Sequence, residues 1–182
     1  ALDCLDEYAP DAAALAAATG MAEEAVAEVL PRLRNKLRRE PVEDLRVDLE
    51  DGYGDRGDEQ EDRDVVASAR ALCADLAAGR GPTGFGVRMK GMEAAVRARG
   101  ARSLALFLHT LMEERGSLPD GPAITLPKIT SVEQVEAMVW LVEELEQRLD
   151  LPEGRLRFEL QIETPQSILL PDGTAAVARM IR

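Results

Sequence analysis

The chain has few cysteines, a single histidine and fewer basic than acidic residues. No apolar run approaches the roughly 20 residues that a membrane-spanning helix needs, and no secretory signal pattern opens the sequence. No membrane partner is therefore expected. There are two cysteines, Cys4 and Cys73, without CxxC spacing and without a neighbouring histidine. That argues against a disulfide framework or a thiolate metal site. Both read as buried small hydrophobes in a reducing compartment, which suggests a cytoplasmic protein. The single histidine, His109, falls in the middle of a helix-like stretch and reads as a surface or structural residue. Lys and Arg number 22 against 34 Asp and Glu, a formal net charge of −12, and that sign disfavours a nucleic-acid surface. Low-complexity linkers are absent, so the 182 residues read as one domain, 1–182, large enough for a real core.

What is present is a repeat of strand-like segments that end in charged or amide side chains. These are Leu45–Asp51 (LRVDLED), Phe85–Lys90 (FGVRMK), Ala123–Lys128 (AITLPK) and Arg157–Glu163 (RFELQIE). Their centres, near Asp48, Val87, Leu126 and Gln161, lie 39, 39 and 35 residues apart. Amphipathic stretches fill the intervals. Strand, helix and strand at this period predict βαβ units and an α/β fold with a parallel sheet. Polar groups at the carboxyl ends of strands stand where α/β folds build their sites.

Residues 1–40 carry no strand and read as a helical lead-in to four β/α units over 41–182. Pro31 is expected to kink or restart the helix there. A helix is predicted near 61–78, where Val65, Val66, Ala69, Leu72, Cys73 and Leu76 follow a 3.6-residue period. A second spans 93–114, with Gly100 expected to divide it. A third opens at Ser131, whose Gln134 three residues on suggests a capping box. Thr164-Pro165 has the form of an N-cap followed by proline at the first helical position, and a last helical stretch begins near Thr174. Trp140 lies off the main apolar stripe of its helix and is still read as a packing residue. Gly84-Phe-Gly86 precedes a strand rather than a helix, so it is not a phosphate loop.

Side chains two apart share a strand face, which pairs Asp48 with Glu50, Arg88 with Lys90 and Gln161 with Glu163. From Glu43 to Asp64 there are eleven acidic and three basic residues. Burying acids inside an apolar strand calls for a cation or hydrogen-bond donors. In a closed parallel barrel, carboxylates from two strands, an amide and an arginine would converge on one cavity. Hard cations such as Mg²⁺ are held by one or two carboxylates plus substrate oxygens and water. An adjacent arginine suits a carboxylate or an enolate oxygen. On spacing alone, structural ion pairs at the strand ends remain an alternative.

The strings DLEDG, VRMK, LPKI and LQIETPQS, in that order from about 43 to 168, resemble the citrate lyase beta subunit and hydroxy-oxo-heptanedioate aldolase family. That family belongs to the phosphoenolpyruvate/pyruvate TIM-barrel superfamily. The extended forms DLEDGYG, LPKITSVEQV and IETPQSIL are more similar to an aldolase/citrate-lyase-like branch than to a true citrate lyase subunit. The resemblance implies parallel (β/α) units of a TIM barrel, with about strands two to five in this chain. It implies that Glu163 is a metal ligand, that Arg88 contacts substrate carboxylate and enolate oxygens, and that Glu50 and Asp51 are the acidic pair beside the metal. Gln161 would bind substrate. Lys128 matches a strand-end lysine and is taken with the substrate-binding set. The implied cofactor is Mg²⁺ (or Mn²⁺), and the implied substrate a small-molecule oxo acid or an acyl-CoA-linked hydroxy acid. The implied reaction is carbon–carbon lyase chemistry, with thioester hydrolysis on the same scaffold, or a non-catalytic binding or structural role, as alternatives. The family's second metal aspartate would lie beyond Arg182. The chain is therefore expected to be truncated, inactive alone, and prone to homo-oligomerise through open sheet edges, exposing inward residues such as Val47 and Leu160.

Overall fold

A computed structural model describes residues 1–181. The lead-in forms three helices, α1 (Leu2–Tyr8), α2 (Ala12–Thr19) and α3 (Glu23–Arg39). Asp11 caps α2 by accepting the Ala14 N–H at 2.8 Å, and Gly20, at φ 71°, ends it in the left-handed region. Pro31 lies inside α3 and does not restart it. A proline removes one backbone hydrogen bond, and strong helix formers on both sides carry the helix past it.

Four strands follow: β1 (Asp44–Asp48), β2 (Gly84–Arg88), β3 (Pro122–Leu126) and β4 (Arg157–Leu160). They are joined by α4 (Asp58–Ala77), α5 (Arg97–Arg115) and α6 (Val132–Arg148), and the short α7 (Pro165–Ile168) and α8 (Ala176–Met180) come last. The sheet is all-parallel, with each strand beside its predecessor in the order β1-β2-β3-β4. The fold is therefore α/β, as the strand–helix period predicts. The register aligns Asp48 with Arg88, Arg88 with Thr125, and Thr125 with Glu159.

Alternation along the strands divides the sheet into two faces. Phe85, Val87, Ile124 and Leu126, with Leu49 and Met89 just past their strands, pack against Val65 and Leu72 of α4, Leu104 and Phe107 of α5, and Val135 and Met138 of α6. Val47, Phe158 and Leu160 pack against the same core. This corrects the expectation that Val47 and Leu160 point inward. They are one residue out of phase with Asp48 and Glu159, so they fall on the helix-covered side. The other face carries Arg46, Asp48, Arg88, Thr125 and Glu159.

β1 and β2 end on the charged residues Asp48 and Arg88, and the rest of each charged tail lies past its strand. The Asp48 carboxylate accepts the N–H groups of Glu50 and Gly52, both at 3.0 Å, and so turns the chain out of β1. Gly100 does not divide its helix. It lies inside α5, where an added Cβ would stand 2.6 Å from the Lys90 carbonyl oxygen. Its role is close approach, and α5 starts at Arg97. Ser131 makes no side-chain cap to α6. Instead, Gln134 Oε1 accepts the Thr130 N–H at 2.8 Å. Thr164 and Ser167 do form a capping box on α7, with Pro165 at its start. Cys73 is buried as expected but Cys4 is exposed, because the short α1 buries none of its residues. Trp140 is 64% exposed rather than packed. Its place on the outer face of α6 follows from its position off the apolar stripe. Among the described residues no helix is long and apolar enough to cross a membrane.

Candidate active site

The motif DLEDG builds the first wall. Asp48, last in β1, meets Arg88, last in β2, in a two-point ion pair: Nε to Oδ1 at 2.8 Å and Nη2 to Oδ2 at 2.5 Å. The same carboxylate holds the turn, so one side chain fixes both the loop and the arginine. A Cβ at Gly52 would sit 2.3 Å from Asp48 Oδ2, so a larger residue there would push this carboxylate away from its present position. Arg88 beside it holds the Asp48 carboxyl below its ordinary value, with the Glu50 and Gly52 N–H groups adding to the effect. Asp48 in turn raises Arg88.

Lys128 links the two outer strand ends. Its backbone adopts φ 51°, a left-handed conformation uncommon for a residue with a Cβ and often tied to a functional constraint. Its N–H donates to Glu163 Oε1 at 2.8 Å. Its Nζ reaches Glu50 Oε1 at 2.5 Å and Asp51 Oδ1 at 2.7 Å. The loops after β1, β3 and β4 therefore meet at one residue. Asp51 and then Glu50 raise the Lys128 ammonium above its ordinary value. Lys128 holds the Asp51 carboxyl down. Glu50 is nearly enclosed, with its side chain 11% exposed, whereas Asp51 is largely open to solvent.

Gln161 follows β4 and donates its backbone N–H to Leu126 O at 3.0 Å. With Arg46, Asp48, Arg88, Thr125, Glu159 and Leu160 it lines a cavity of about 560 Å³ on the open face of the sheet. Its side-chain Oε1 is buried and has no hydrogen-bond partner among the described residues. Deeper on that face, Thr125 Oγ1 donates to Glu159 Oε1 at 2.6 Å and Arg46 Nη1 to the same oxygen at 3.0 Å. Thr164 Oγ1 donates to Ile129 O, tying the loop after β4 to the loop after β3.

Of the six residues singled out from sequence, Arg88 and Gln161 line one cavity, and Glu50, Asp51, Lys128 and Glu163 form one connected group at the same strand ends. Lys90 does not join Arg88. It turns to the helix side, where Nζ donates to Leu49 O at 2.6 Å and to Glu61 Oε2 at 2.7 Å. Glu61, 3% exposed, also accepts from Ser103 Oγ at 2.5 Å and Arg99 Nε at 3.2 Å. Sequence reasoning missed this buried cluster. The signal was Glu61 standing four, eight and eleven residues before Val65, Ala69 and Leu72, on their stripe. It also missed that Asp48 is the partner of Arg88. His109 is exposed on α5, with Nε2 3.2 Å from Glu113 Oε1. Among the described residues there is no group of three or more His, Cys, Asp or Glu that could hold a metal.

A family described as Domain of unknown function (DUF6986) matches residues 1–182. The chain belongs to that family. No curated protein matches the chain. The family description carries no activity.

Proposed function

We propose that this chain carries part of the site of a Mg²⁺- or Mn²⁺-dependent carbon–carbon lyase acting on a 2-oxo acid or an acyl-CoA-linked hydroxy acid. The observation that carries the reading is the convergence on Lys128 of Glu50, Asp51 and Glu163, from the loops after β1 and β4, beside Arg88. The strand order supports a (β/α)-barrel origin. Sequential parallel strands, a helix-covered apolar face and a polar opposite face are what a barrel segment presents.

The donors present would supply only part of a hard-cation shell, since no three metal-ligating His, Cys, Asp or Glu side chains gather among the described residues. Lys128 already serves as counter-ion to Glu50 and Asp51. Glu163 accepts only a backbone N–H from Lys128 and forms no ion pair among the described residues. Glu163 is therefore the carboxylate free to hold a divalent ion, and the orphaned Gln161 Oε1 is a second oxygen donor in need of a partner. Mg²⁺ commonly takes one or two carboxylates and keeps several waters. Such an ion would supply Lewis-acid polarisation of substrate oxygens.

The chain's own groups do the rest. Asp48 fixes the Arg88 guanidinium before substrate arrives, so its positive charge is preorganised for a substrate carboxylate or developing enolate oxygen. Lys128 favours the ionised form of Asp51 at the mouth, pairs with Glu50 and braces the two loops. A second reading has its own observation: Asp48 with Arg88, and Lys128 with Glu50 and Asp51, are already paired charges, as in a binding or structural module.

The test is metal-dependent exchange of pyruvate methyl protons in D₂O, with cleavage of 2-oxo hydroxy acids and malyl- or citramalyl-type thioesters. It is run on the protein as its gene encodes it. Exchange or cleavage that needs Mg²⁺ or Mn²⁺ and disappears in Arg88→Lys and Glu163→Gln supports the lyase. Thioester hydrolysis without carbon–carbon cleavage would move the assignment to a hydrolase. No turnover by the gene product, with both variants folded, favours the binding module.

A further inference from the structure

At the opposite end of the sheet, before β1 and β2, a second and larger cleft separates the helical lead-in from the α/β body. Its volume is about 1530 Å³, and its walls are the second half of α3 and the loop Gly79–Thr83. Although the chain is net −12, this cleft is lined by Arg32, Lys36, Arg38, Arg39 and Arg80, against the acids Glu40 and Asp75. Arg80 is occupied by Asp75 at 3.0 Å. Lys36 is paired with Glu40 and Glu43. Arg32, Arg38 and Arg39 are exposed and have no ion-pair partner among the described residues.

At the solvent-exposed edge of the cleft, three donors already converge on one carboxylate. The Glu40 carboxylate accepts from the Lys36 ammonium, from the Thr83 hydroxyl and from the Thr83 backbone N–H, the last at 3.2 Å. Those donors hold its carboxyl down to about 2. Basic residues in the last turn of a helix complement its dipole, which accounts for Arg38 and Arg39. It does not account for Arg32, about two turns earlier, or for a donor cradle supplied from across the cleft.

We infer that this cleft binds a small molecule carrying a chain of phosphates, such as a nucleoside triphosphate, with one anionic group at the Lys36–Thr83 cradle and others along Arg32, Arg38 and Arg39. Arg32 and Arg39 are seven residues apart, about 10 Å along the helix axis. A single phosphate cannot span them, so the ligand carries several anionic groups in line. Arginine forks suit phosphate oxygens bidentately. Glu40 then acts as an internal occupant that the ligand displaces. The site is independent of the lyase reading, since it shares no residue with the strand-end group.

The experiment titrates the full chain with tripolyphosphate, ATP, inorganic phosphate and tricarballylate. Calorimetry is done at one low ionic strength without divalent ions, and amide NMR shifts locate the ligand. Expected are one-to-one binding of tripolyphosphate, inorganic phosphate weaker by roughly tenfold or more, and shifts confined to residues 32–40 and 79–83. Arg32→Gln with Arg39→Gln should weaken tripolyphosphate by at least about tenfold, while Arg148→Gln, a surface control on α6, leaves it unchanged. Glu40→Gln should tighten it, because the displaced carboxylate no longer competes. ATP tighter than tripolyphosphate adds a nucleoside contact to the site. Tricarballylate binding without tripolyphosphate binding, affinity unmoved by the arginine changes, or shifts spread over the surface would each overturn the proposal.

Discussion

The two faces of the sheet are built by alternate residues of the same four strands, yet their surroundings are opposite. On the helix side, Phe85, Val87, Ile124 and Leu126 are 2% exposed or less and lie under α4, α5 and α6. On the other side, Arg46, Asp48, Arg88, Thr125 and Glu159 pair with one another around a cavity. Burial of apolar area holds the first face, at roughly 25 cal/mol per Å². The second is held by ion pairs that stay partly wet, and such pairs contribute little. The lesson is a division of labour. Stability is concentrated on one face, which leaves the other free to carry charges whose arrangement suits chemistry rather than packing.

The largest way to break this contrast is to hollow the helix side. Phe107 of α5 is fully buried in the core, so Phe107→Ala is expected to cost about 3–5 kcal/mol, read by urea melts. A cost below about 1 kcal/mol would mean that the helices do not seal the sheet as described. Gly100→Ala comes next. Its new Cβ would press on the Lys90 carbonyl oxygen at 2.6 Å, backbone that cannot swing aside. Overpacking of this kind costs about 1–3 kcal/mol, even though alanine is the better helix former.

How far these features could be read from sequence follows the same division. The apolar face was legible because period-2 strands and 3.6-period helices both report burial directly. The four parallel strands and their order are therefore visible in LRVDLED, FGVRMK, AITLPK and RFELQIE. The strand ends were less so. Alternation predicts that Arg88 and Lys90 share a face, but the strand stops at Arg88, and past that point the period carries no information. Lys90 then follows the buried carboxylate of Glu61. The Asp48–Arg88 pair is a long-range match between β1 and β2, set by register, and no local pattern encodes register. Glu50, Asp51, Lys128 and Glu163 were found through their motifs. Their meeting point at Lys128, through its ammonium and its backbone N–H, was not, because a backbone φ of 51° at a non-glycine residue has no sequence signature.

Asp48→Asn sharpens the contrast at intermediate magnitude. It keeps the size and one acceptor but removes the charge facing Arg88. The pair is about a quarter exposed, so the expected loss is about 1–2 kcal/mol. A larger loss would mark the open face as a second core.

Acid titration probes the charged groups together. Asp62 is pulled down to about 2 by Arg102 and, after it, Arg99, and Asp48 is lowered by Arg88. A carboxyl whose folded value lies below its ordinary 3.8 binds fewer protons folded than unfolded between those limits. Stability therefore rises with pH there. The contribution is complete above the unfolded value and drains away as pH falls from about 4 toward 2. Thermal melts across that window should show a steeper decline for the natural chain than for Asp62→Asn. Parallel curves would show that the α4–α5 ion pairs do not differ in strength between folded and unfolded chains.

The smallest expected effect is the sharpest test of the open face. Glu159 sits in β4 between Phe158 and Leu160, both packed against the helix-side core, and it points the other way to Arg46 and Thr125. Its side chain is 53% exposed. Glu159→Gln keeps an acceptor for the Thr125 hydroxyl and removes only a solvated charge, so the stability change should stay within about 0.5 kcal/mol. The same face would respond very differently if it were covered in solution. Glu159→Gln would then remove one of two buried counter-ions of Arg46, the other being Asp44, at a cost of up to about 3–5 kcal/mol. A near-zero result in melts run at several concentrations therefore supports a face open to water and to ligands. A loss of several kcal/mol, or one that grows with concentration, would show that this face is closed by another chain, and the comparison between the two faces would fail.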